Sequence, residues 1–375
     1  MDAVFGELFD LSCHSSVQHL VFRSTVIKLL LAPFSILYGF GVSLRNWAYR
    51  TGWLKSISFN LPVISVGNLS VGGAGKTPHV EYLVRKLLPY LNVATLSRGY
   101  RRKSRGFLIV NQRHNAEQVG DEPLQYFRKF PELTVTVAEE RALAIPQIVS
   151  ARPDLQLVIL DDAFQHRAVR PGLNILLTQF AKPFTQDFLL PSGRLREWRT
   201  AYHRADTIIV TKCPPDLNQE QADALRREID PQAGQSLFFS YYDYGQAYYM
   251  LDSRYRLKLD DEVDILLLCA IANTEYLISY LNSQARSVYS LEYEDHHYFT
   301  HQDMGNLASR FKQLDSRKKA IITTEKDASR LELHRKFIRD QRLPIFVLPV
   351  QVKFHFEEEE KFDGELRDFL LNFTA

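Results

Sequence analysis

An apolar run of strand type, Pro62–Val66, leads into Gly67-Asn-Leu-Ser-Val-Gly-Gly-Ala-Gly-Lys-Thr77 and then, through Pro78, into a helix-forming stretch. No other segment of the chain constrains the fold as tightly. Strand, glycine-rich turn and helix start, in that order, leave the backbone N–H groups of Gly72, Gly73 and Gly75 open to an approaching anion, and the helix N-terminus adds its own unpaired donors. Lys76 has the reach to meet outer phosphates, and Thr77 offers a hydroxyl to a divalent cation. Pro78 in the first helical turn loses no hydrogen bond. The segment therefore reads as a phosphate-binding loop for a nucleoside triphosphate with magnesium, its contacts drawn from Ser70, Val71, Gly72, Gly73, Ala74, Gly75, Lys76 and Thr77. Ser70 stands where the usual pattern has its first glycine.

Such a loop needs a parallel sheet around it. Short β-branched runs recur at Val93–Ser97, Phe107–Val110, Thr134–Val137, Leu157–Leu160, Asn174–Leu177 and Thr207–Val210, with helical patterns at His79–Leu91 and Glu140–Ser150. This alternation predicts βαβ units and an α/β fold of P-loop NTPase type, a mainly parallel sheet flanked by helices. From Ser236 the texture becomes aromatic and alternating, which predicts a β-ribbon turning at Asp252–Ser253. Beyond it, runs at Asp264–Ala270, Lys319–Thr323 and Pro344–Leu348 alternate with helical patterns at Thr274–Ser283 and His301–Leu314, a second, smaller α/β domain. The expected division is 1–56 for an N-terminal extension and membrane-interface helix, 57–235 for the nucleotide domain, 236–262 for the ribbon linker and 263–375 for the smaller domain.

With 375 residues and 45% hydrophobic content the chain is long enough for one large core or two ordinary ones. Its 46 basic and 44 acidic residues nearly cancel, so no global charge favours nucleic acid, and recognition of an anion must be local. Cys13, Cys213 and Cys269 form no metal-ligand spacing and suit a reducing compartment. Val26–Leu44 is the most apolar stretch. Lys28 and Pro33 interrupt it, Arg45, Arg50 and Lys55 follow it, and the acidic start of the chain does not resemble a signal peptide. Two readings remain from the residues: an interfacial helix with its apolar side in lipid and its basic flank on anionic headgroups, or a helix packed on the protein's own core.

The run Leu155–Leu160 ends in Asp161 and Asp162, two carboxylates delivered to the edge where parallel strands end, next to the phosphate loop. They are the expected magnesium ligands with Thr77. Guanine selection would need a carboxylate after Thr211-Lys-Cys-Pro214, and none is there, which leaves ATP. The loop Ser97–Arg105 concentrates five cations in eight positions, Arg98, Arg101, Arg102, Lys103 and Arg105, and suits an anionic or phosphorylated acceptor. A regulatory ATPase and a nucleic-acid-dependent NTPase are the competing classes, the latter expected to carry a wider basic footprint.

Taken together, SVGNLSVGGAGKTP (65–78), SRGYRRK (97–103), VGDEP (119–123), AEERA (138–142), LDDAFQHR (160–167), LLPSGRLREW (189–198), RADTIIVTKCP (204–214), EDHHYFT (294–300) and TTEKDA (323–328) closely resemble the tetraacyldisaccharide 4'-kinase family of lipid A biosynthesis. The resemblance spans most of the chain and includes Ser70, since a hydroxyl residue is usual there. Cys269-Ala-Ile-Ala-Asn-Thr274 departs from the family's glycine-rich turn ending in proline.

The resemblance implies transfer of the γ-phosphoryl group of ATP to the 4'-hydroxyl of a tetraacylated disaccharide 1-phosphate. It also implies peripheral seating of a monomer on the cytoplasmic face of the inner membrane, no nucleic acid, and an interfacial role for Val26–Leu44. A sugar hydroxyl needs a proton acceptor as it attacks, and Asp121 is the expected base. By resemblance it pairs with His296, preferred over His297. Lys76, Arg141 and Arg196 are the expected cations around the transferred group, and Glu197 is expected near the metal. Gln165 and His166 are expected to line the same cleft. Glu325 and Asp327 are left between nucleotide contact and linking the domains.

Overall fold

The computed structural model describes residues 27–374. Along the chain run α1 (Ile27–Arg50), β1 (Val63–Asn68), α2 (Lys76–Leu87), β2 (Val93–Ser97), β3 (Leu108–Ile109), α3 (Ala116–Val119), α4 (Asp121–Lys129), β4 (Thr134–Val137), α5 (Arg141–Ala151), β5 (Leu157–Asp161), β6 (Leu173–Gln179), β7 (Thr207–Thr211), α6 (Gln219–Ile229) and β8 (Ser236–Tyr244). There follow β9 (Ala247–Tyr249), β10 (Asp252–Leu257), β11 (Asp264–Cys269), α7 (Glu275–Gln284), β12 (Ser287–Glu292), α8 (His301–Gln313), β13 (Lys319–Thr324), α9 (Glu325–Leu331), α10 (Arg335–Asp340), β14 (Ile345–Leu348), β15 (Val350–Phe354) and α11 (Glu359–Leu371).

Two sheets result. The larger has the order β15-β8-β7-β6-β1-β5-β2-β4-β3, and the smaller β10-β9-β14-β13-β11-β12. In the larger sheet the seven strands from β8 to β4 are mutually parallel and the edges β15 and β3 antiparallel. Central strands are buried along their whole length, as a sheet covered on both faces requires: every residue of β1, β5 and β7 is buried. Because β1 lies between β5 and β6, the connections diverge at its carboxyl end and open a crevice there. The phosphate loop, Asp161 and Asp162 all lie at that edge.

The sequence expectation differs from the structure in three places. The aromatic ribbon is divided between the sheets: β8 adds to the larger one beside β7, while β9 and β10 form the edge of the smaller one. Its turn falls at Met250–Leu251, just before Asp252 opens β10. The C-terminal segment does not stay with the smaller sheet either. β15 pairs with β8, and Phe362 and Leu366 of α11 bury against the core that holds Tyr82, Leu83 and Phe238. An apolar helix face goes where a matching apolar surface is open, and the outer face of α2 and β8 supplies one.

Helix α1 spans 24 residues, with a mean hydropathy of 1.7 over its most apolar 18-residue stretch, and is long and apolar enough to cross a membrane by length and composition. Pro33 lies in its second turn without breaking it, and the helix continues past Leu44 to Arg50. Only a narrow stripe is covered. Ser35 is buried, its Oγ donating to Leu189 O (3.1 Å), and Gly39 lies so close to Trp198 that any Cβ there would collide with the indole. Leu29, Leu30, Phe34, Ile36, Leu37, Phe40 and Leu44 remain exposed. Packing wholly on the protein's own core is thereby excluded for this helix. The N-terminal extension before it lies outside the described residues.

Candidate active site

Helix α2 starts at the end of the phosphate loop with no side-chain cap and no acidic residue in its first turn, so its free N–H groups and dipole are left for an anion. Gly75, the residue before it, has φ +86°, and a Cβ there would also strike the Tyr242 hydroxyl. Only glycine satisfies both conditions. The leading arm of the loop is held by a short antiparallel bridge between Ser70 and Leu195: Val71 N donates to Arg194 O (2.7 Å) and Arg196 N to Leu69 O (2.8 Å). Lys76 Nζ donates to Asn68 Oδ1 (3.1 Å) and stands 3.6 Å from Asp162.

The β5 carboxylates have different surroundings. Asp161 is buried, accepting from Ser97 Oγ and Tyr126 Oη at 3.2 Å each. Burial first, then the charges of Glu122 and Asp162, push it up to about 6. Asp162, in the left-handed region at φ +49°, is bound by Arg196 Nη1 at 3.0 Å. Burial would raise it, but Lys76 and Arg196 hold it below the ordinary carboxylate range. Arg141 Nη2 donates to the backbone carbonyls of both, at 2.9 and 3.1 Å, and so fixes the turn that presents them. Thr77 lies beside Tyr126 at the same place. Hard oxygen donors with one carboxylate under excess negative charge match what magnesium takes.

Glu197 is not brought to this pair. Its buried carboxylate accepts from Arg204 Nη1 (2.8 Å) and Asn46 Nδ2 (3.1 Å), beneath α1. Arg196 faces Asp162, while Glu197 beside it in the same bend is held by Arg204 and Asn46 instead. Among the described residues no group of three or more His, Cys, Asp or Glu side chains is arranged to hold a metal ion by itself.

Across the crevice, Asp121 begins α4 and is 2% exposed. Its Oδ2 accepts from His296 Nδ1 (3.0 Å) and Arg330 Nε (2.8 Å), while Oδ1 is buried without a partner. Burial pulls Asp121 upward, yet the His296 hydrogen bond and the Arg330 charge outweigh it and hold the carboxyl below its usual range. His296 comes from the smaller-sheet unit, on the segment before α8, whose start is fixed by reciprocal Thr300–Asp303 capping. It sits at φ +64°, with the Tyr100 ring 4.9 Å from its own. His297 instead bonds Asp303 at 2.9 Å and stacks on Tyr293.

Arg330 and Lys212 were not singled out from sequence, whereas Lys326 lies within the cluster from Glu325 to Asp327 that was. Arg330 is fully buried, bridging Asp121 and Asp327 (2.9 Å), and Lys326 stands between Glu122 (3.0 Å) and His296 Nε2 (3.3 Å). Glu325 shares Lys129 with Glu81, both at 2.7 Å, so Glu325 and Asp327 serve the junction between the two sheets. Lys212, after β7, lies 3.8 Å from where a Cβ on Gly73 would be, and Ala272 of the loop after β11 lies 3.3 Å from it. A cation at the end of a strand neighbouring β6 was the available signal for Lys212; nothing local marked Arg330. Of the basic loop, Arg102 is taken by Glu139 and Lys103 by Glu117, and Arg101 donates to Asp295 O (3.3 Å).

The family model for tetraacyldisaccharide-1-P 4'-kinase matches residues 27–370. The chain is 40% identical over 349 residues to a tetraacyldisaccharide 4'-kinase of Bacteroides thetaiotaomicron, covering 90% of this chain and 91% of that one. It is 42% identical over 343 residues to the protein of the same name in Parabacteroides distasonis, covering 89% and 92%. Among solved structures, LpxK from Aquifex aeolicus in complex with ATP is similar, with a TM-score of 0.68 and 28% identity over 92% of this chain and 99% of that one.

Proposed function

The chain belongs to the tetraacyldisaccharide-1-P 4'-kinase family, and from that premise we propose how its own residues perform ATP-dependent phosphorylation of the disaccharide 4'-hydroxyl in lipid A biosynthesis. The observation that carries the reading is the meeting, at one crevice, of the phosphate loop with Lys76 and Asp162 on one side and the Asp121–His296 pair on the other.

The backbone N–H groups of residues 70–77 and the start of α2 receive the phosphates, with Lys76 neutralising the outer ones. Thr77, Asp161 and Asp162 are the residues that would hold magnesium, which when bound offsets charge on the transferred phosphoryl group. Arg196, through Asp162, and Arg141, through the carbonyls behind it, keep positive charge at the same spot and hold the carboxylates in place. Asp121 takes the 4'-hydroxyl proton as the new P–O bond forms and the bond to the ADP oxygen breaks. Its partnerless Oδ1 is the acceptor atom. His296 and Arg330 orient the carboxylate and keep it ionised. The two sheets act as two bodies that meet around this site, and closing them excludes water from the transfer. The apolar face of α1 lies in the interface of the inner leaflet's cytoplasmic side, so that the acyl chains stay in lipid while the sugar reaches the crevice.

The test is transfer of label from γ-labelled ATP, with magnesium, to tetraacyldisaccharide 1-phosphate in detergent micelles. Labelled lipid from the native protein, reduced at least a thousandfold in Lys76→Ala, is the expected result. Hydrolysis of ATP without labelled lipid would instead identify a regulatory ATPase.

A further inference from the structure

The ring nitrogen of His296 that does not meet Asp121 faces an ammonium group. Lys326 of α9 places its Nζ 3.3 Å from His296 Nε2, 3.3 Å from Asp295 Oδ1 and 3.0 Å from Glu122 Oε1. An ammonium has three donors and no acceptor, and here three acceptors surround it. Burial would lower Lys326, but the charges of Glu122 and Asp295 outweigh it and hold the group above its ordinary range, so it is a cation throughout the neutral range. The mechanism above gives this cation no task.

A nitrogen facing a group that can only donate must present its lone pair. Nε2 therefore carries no proton, and the one proton of a neutral imidazole lies on Nδ1, where it donates to Asp121 Oδ2 at 3.0 Å. The other neighbours would choose differently. Asp295 Oδ2 lies 3.6 Å and Glu122 Oε1 4.0 Å from the same Nε2, two carboxylates that favour a second proton there and a charged ring. Against them stands Arg330, whose Nε donates to the same Asp121 oxygen at 2.8 Å and whose charge opposes another. The remaining groups act less directly: the Tyr100 ring lies 4.9 Å from the imidazole, and Arg101 donates to the Asp295 backbone carbonyl. Lys326 is thus the group that decides between a neutral and a charged ring.

We infer that Lys326 is a positioning residue for the phosphoryl transfer: by occupying Nε2 and engaging both neighbouring carboxylates, it holds His296 neutral with its proton on Nδ1. The inference rests on the kinase reading above, in which Asp121 is the base. A neutral ring orients Asp121 and leaves its basicity largely intact. An imidazolium in the same place would set a full positive charge beside a carboxylate that, despite its burial, the His296 bond and the Arg330 charge already hold below its usual range. Asp121 would then accept the hydroxyl proton less readily. Neither Lys326 nor His296 gains or loses a proton in this scheme, and the proton still passes from the sugar hydroxyl to Asp121. Lys326 also ties α9 to α4 through Glu122, so the test must separate the two roles.

The experiment reads the His296 ring by nitrogen NMR of protein labelled at histidine, with His296→Gln to assign the signals, and follows kcat for lipid labelling across pH at saturating ATP. In the native protein near neutral pH, Nδ1 should be protonated and Nε2 not. In Lys326→Met a larger share of molecules should be protonated at both nitrogens, with kcat lower by about tenfold near pH 6.5, by about threefold or less near pH 9, and the KM for ATP unchanged. Lys326→Arg, which keeps a donor-only cation, should recover most of the loss. Adding Asp295→Asn to Lys326→Met removes a carboxylate that draws the second proton, and should restore kcat near pH 6.5 by about threefold. An equal loss at every pH, with His296 in its native state, would show that Lys326 only ties α9 to α4 and would overturn the inference. So would a native His296 protonated at Nε2, a result that stands even if Lys326→Met does not fold. A native protein with the expected ring state that labels no lipid would sink the kinase reading instead, a separate failure.

Discussion

Asp121 shows how much one buried carboxylate can be asked to do. His296 and Arg330 together overcome the cost of burying its charge, so it is ionised throughout the neutral range, and the mechanism we propose uses its partnerless Oδ1 as the proton acceptor. Asp121→Asn keeps the shape but removes that basicity. Turnover in a single-turnover assay should fall by about 10²–10⁴, with the KM for ATP nearly unchanged. His79 acts at the same scale but on stability. It is buried in α2 with Nδ1 2.7 Å from Gly75 O and Nε2 3.0 Å from Ser240 Oγ, and burial lowers it to about 4. A histidine at about 6.5 when unfolded and about 4 when folded binds its proton more readily in the unfolded chain. Its contribution is therefore complete above about pH 6.5 and is lost as pH falls toward 4, by up to roughly 3 kcal/mol. Urea unfolding at pH 5 and pH 7.5 should show a smaller difference in His79→Gln than in the native protein.

At the scale of elements, α1 and the segment 189–198 behave as one unit. Trp198 Nε1 donates to Ser43 Oγ (2.9 Å), Tyr38 Oη to Arg196 O (2.9 Å), and Asn46 Nδ2 to Glu197 (3.1 Å), while Arg194 and Arg196 clamp the phosphate loop. The long apolar helix is therefore joined to the phosphate loop through one short segment, Arg196 bonding Tyr38 on one side and Leu69 on the other. Gly39→Val places a Cβ against the Trp198 ring and lifts the helix from its seat. Hydrogen exchange should quicken in 189–198 and in the phosphate loop, and remain unchanged in β5 and β7. Unchanged exchange in 189–198 would show that the helix is seated some other way.

The whole molecule is joined by charge as much as by chain. Besides Asp121 with Arg330, Lys129 of α4 holds both Glu81 and Glu325, so that α2, α4 and α9 meet on one ammonium group. Burial raises Glu81 to about 7 even with Lys129 opposing it. A carboxylate raised from about 4.5 binds its proton more tightly when folded, so stability declines as pH rises from about 4.5 to 7. Lys129→Met leaves two facing carboxylates and steepens that decline. The expected loss is about 3–5 kcal/mol at pH 8 and less at pH 6, measured by chemical unfolding. Scattering should report a larger radius of gyration at the higher pH as the two sheets part.

The phosphate loop, the paired aspartates, the β-type runs and the long apolar helix were legible because each is written in consecutive residues: spacing fixes which atoms a loop exposes, and periodicity fixes which face an element buries. Asp121 and His296, which lie 175 positions apart, needed the resemblance to a family. What no local pattern could hold was decided by packing. Arg330 looks like any helix-surface arginine until α9 docks on α4, the end of the chain seemed to belong with its neighbours until β15 found the edge of β8, and Glu197 seemed to belong with the metal until Arg204 and Asn46 drew its side chain beneath α1. Those outcomes depend on which surfaces meet in three dimensions, because a charge or an apolar face acquires its role from the groups placed against it.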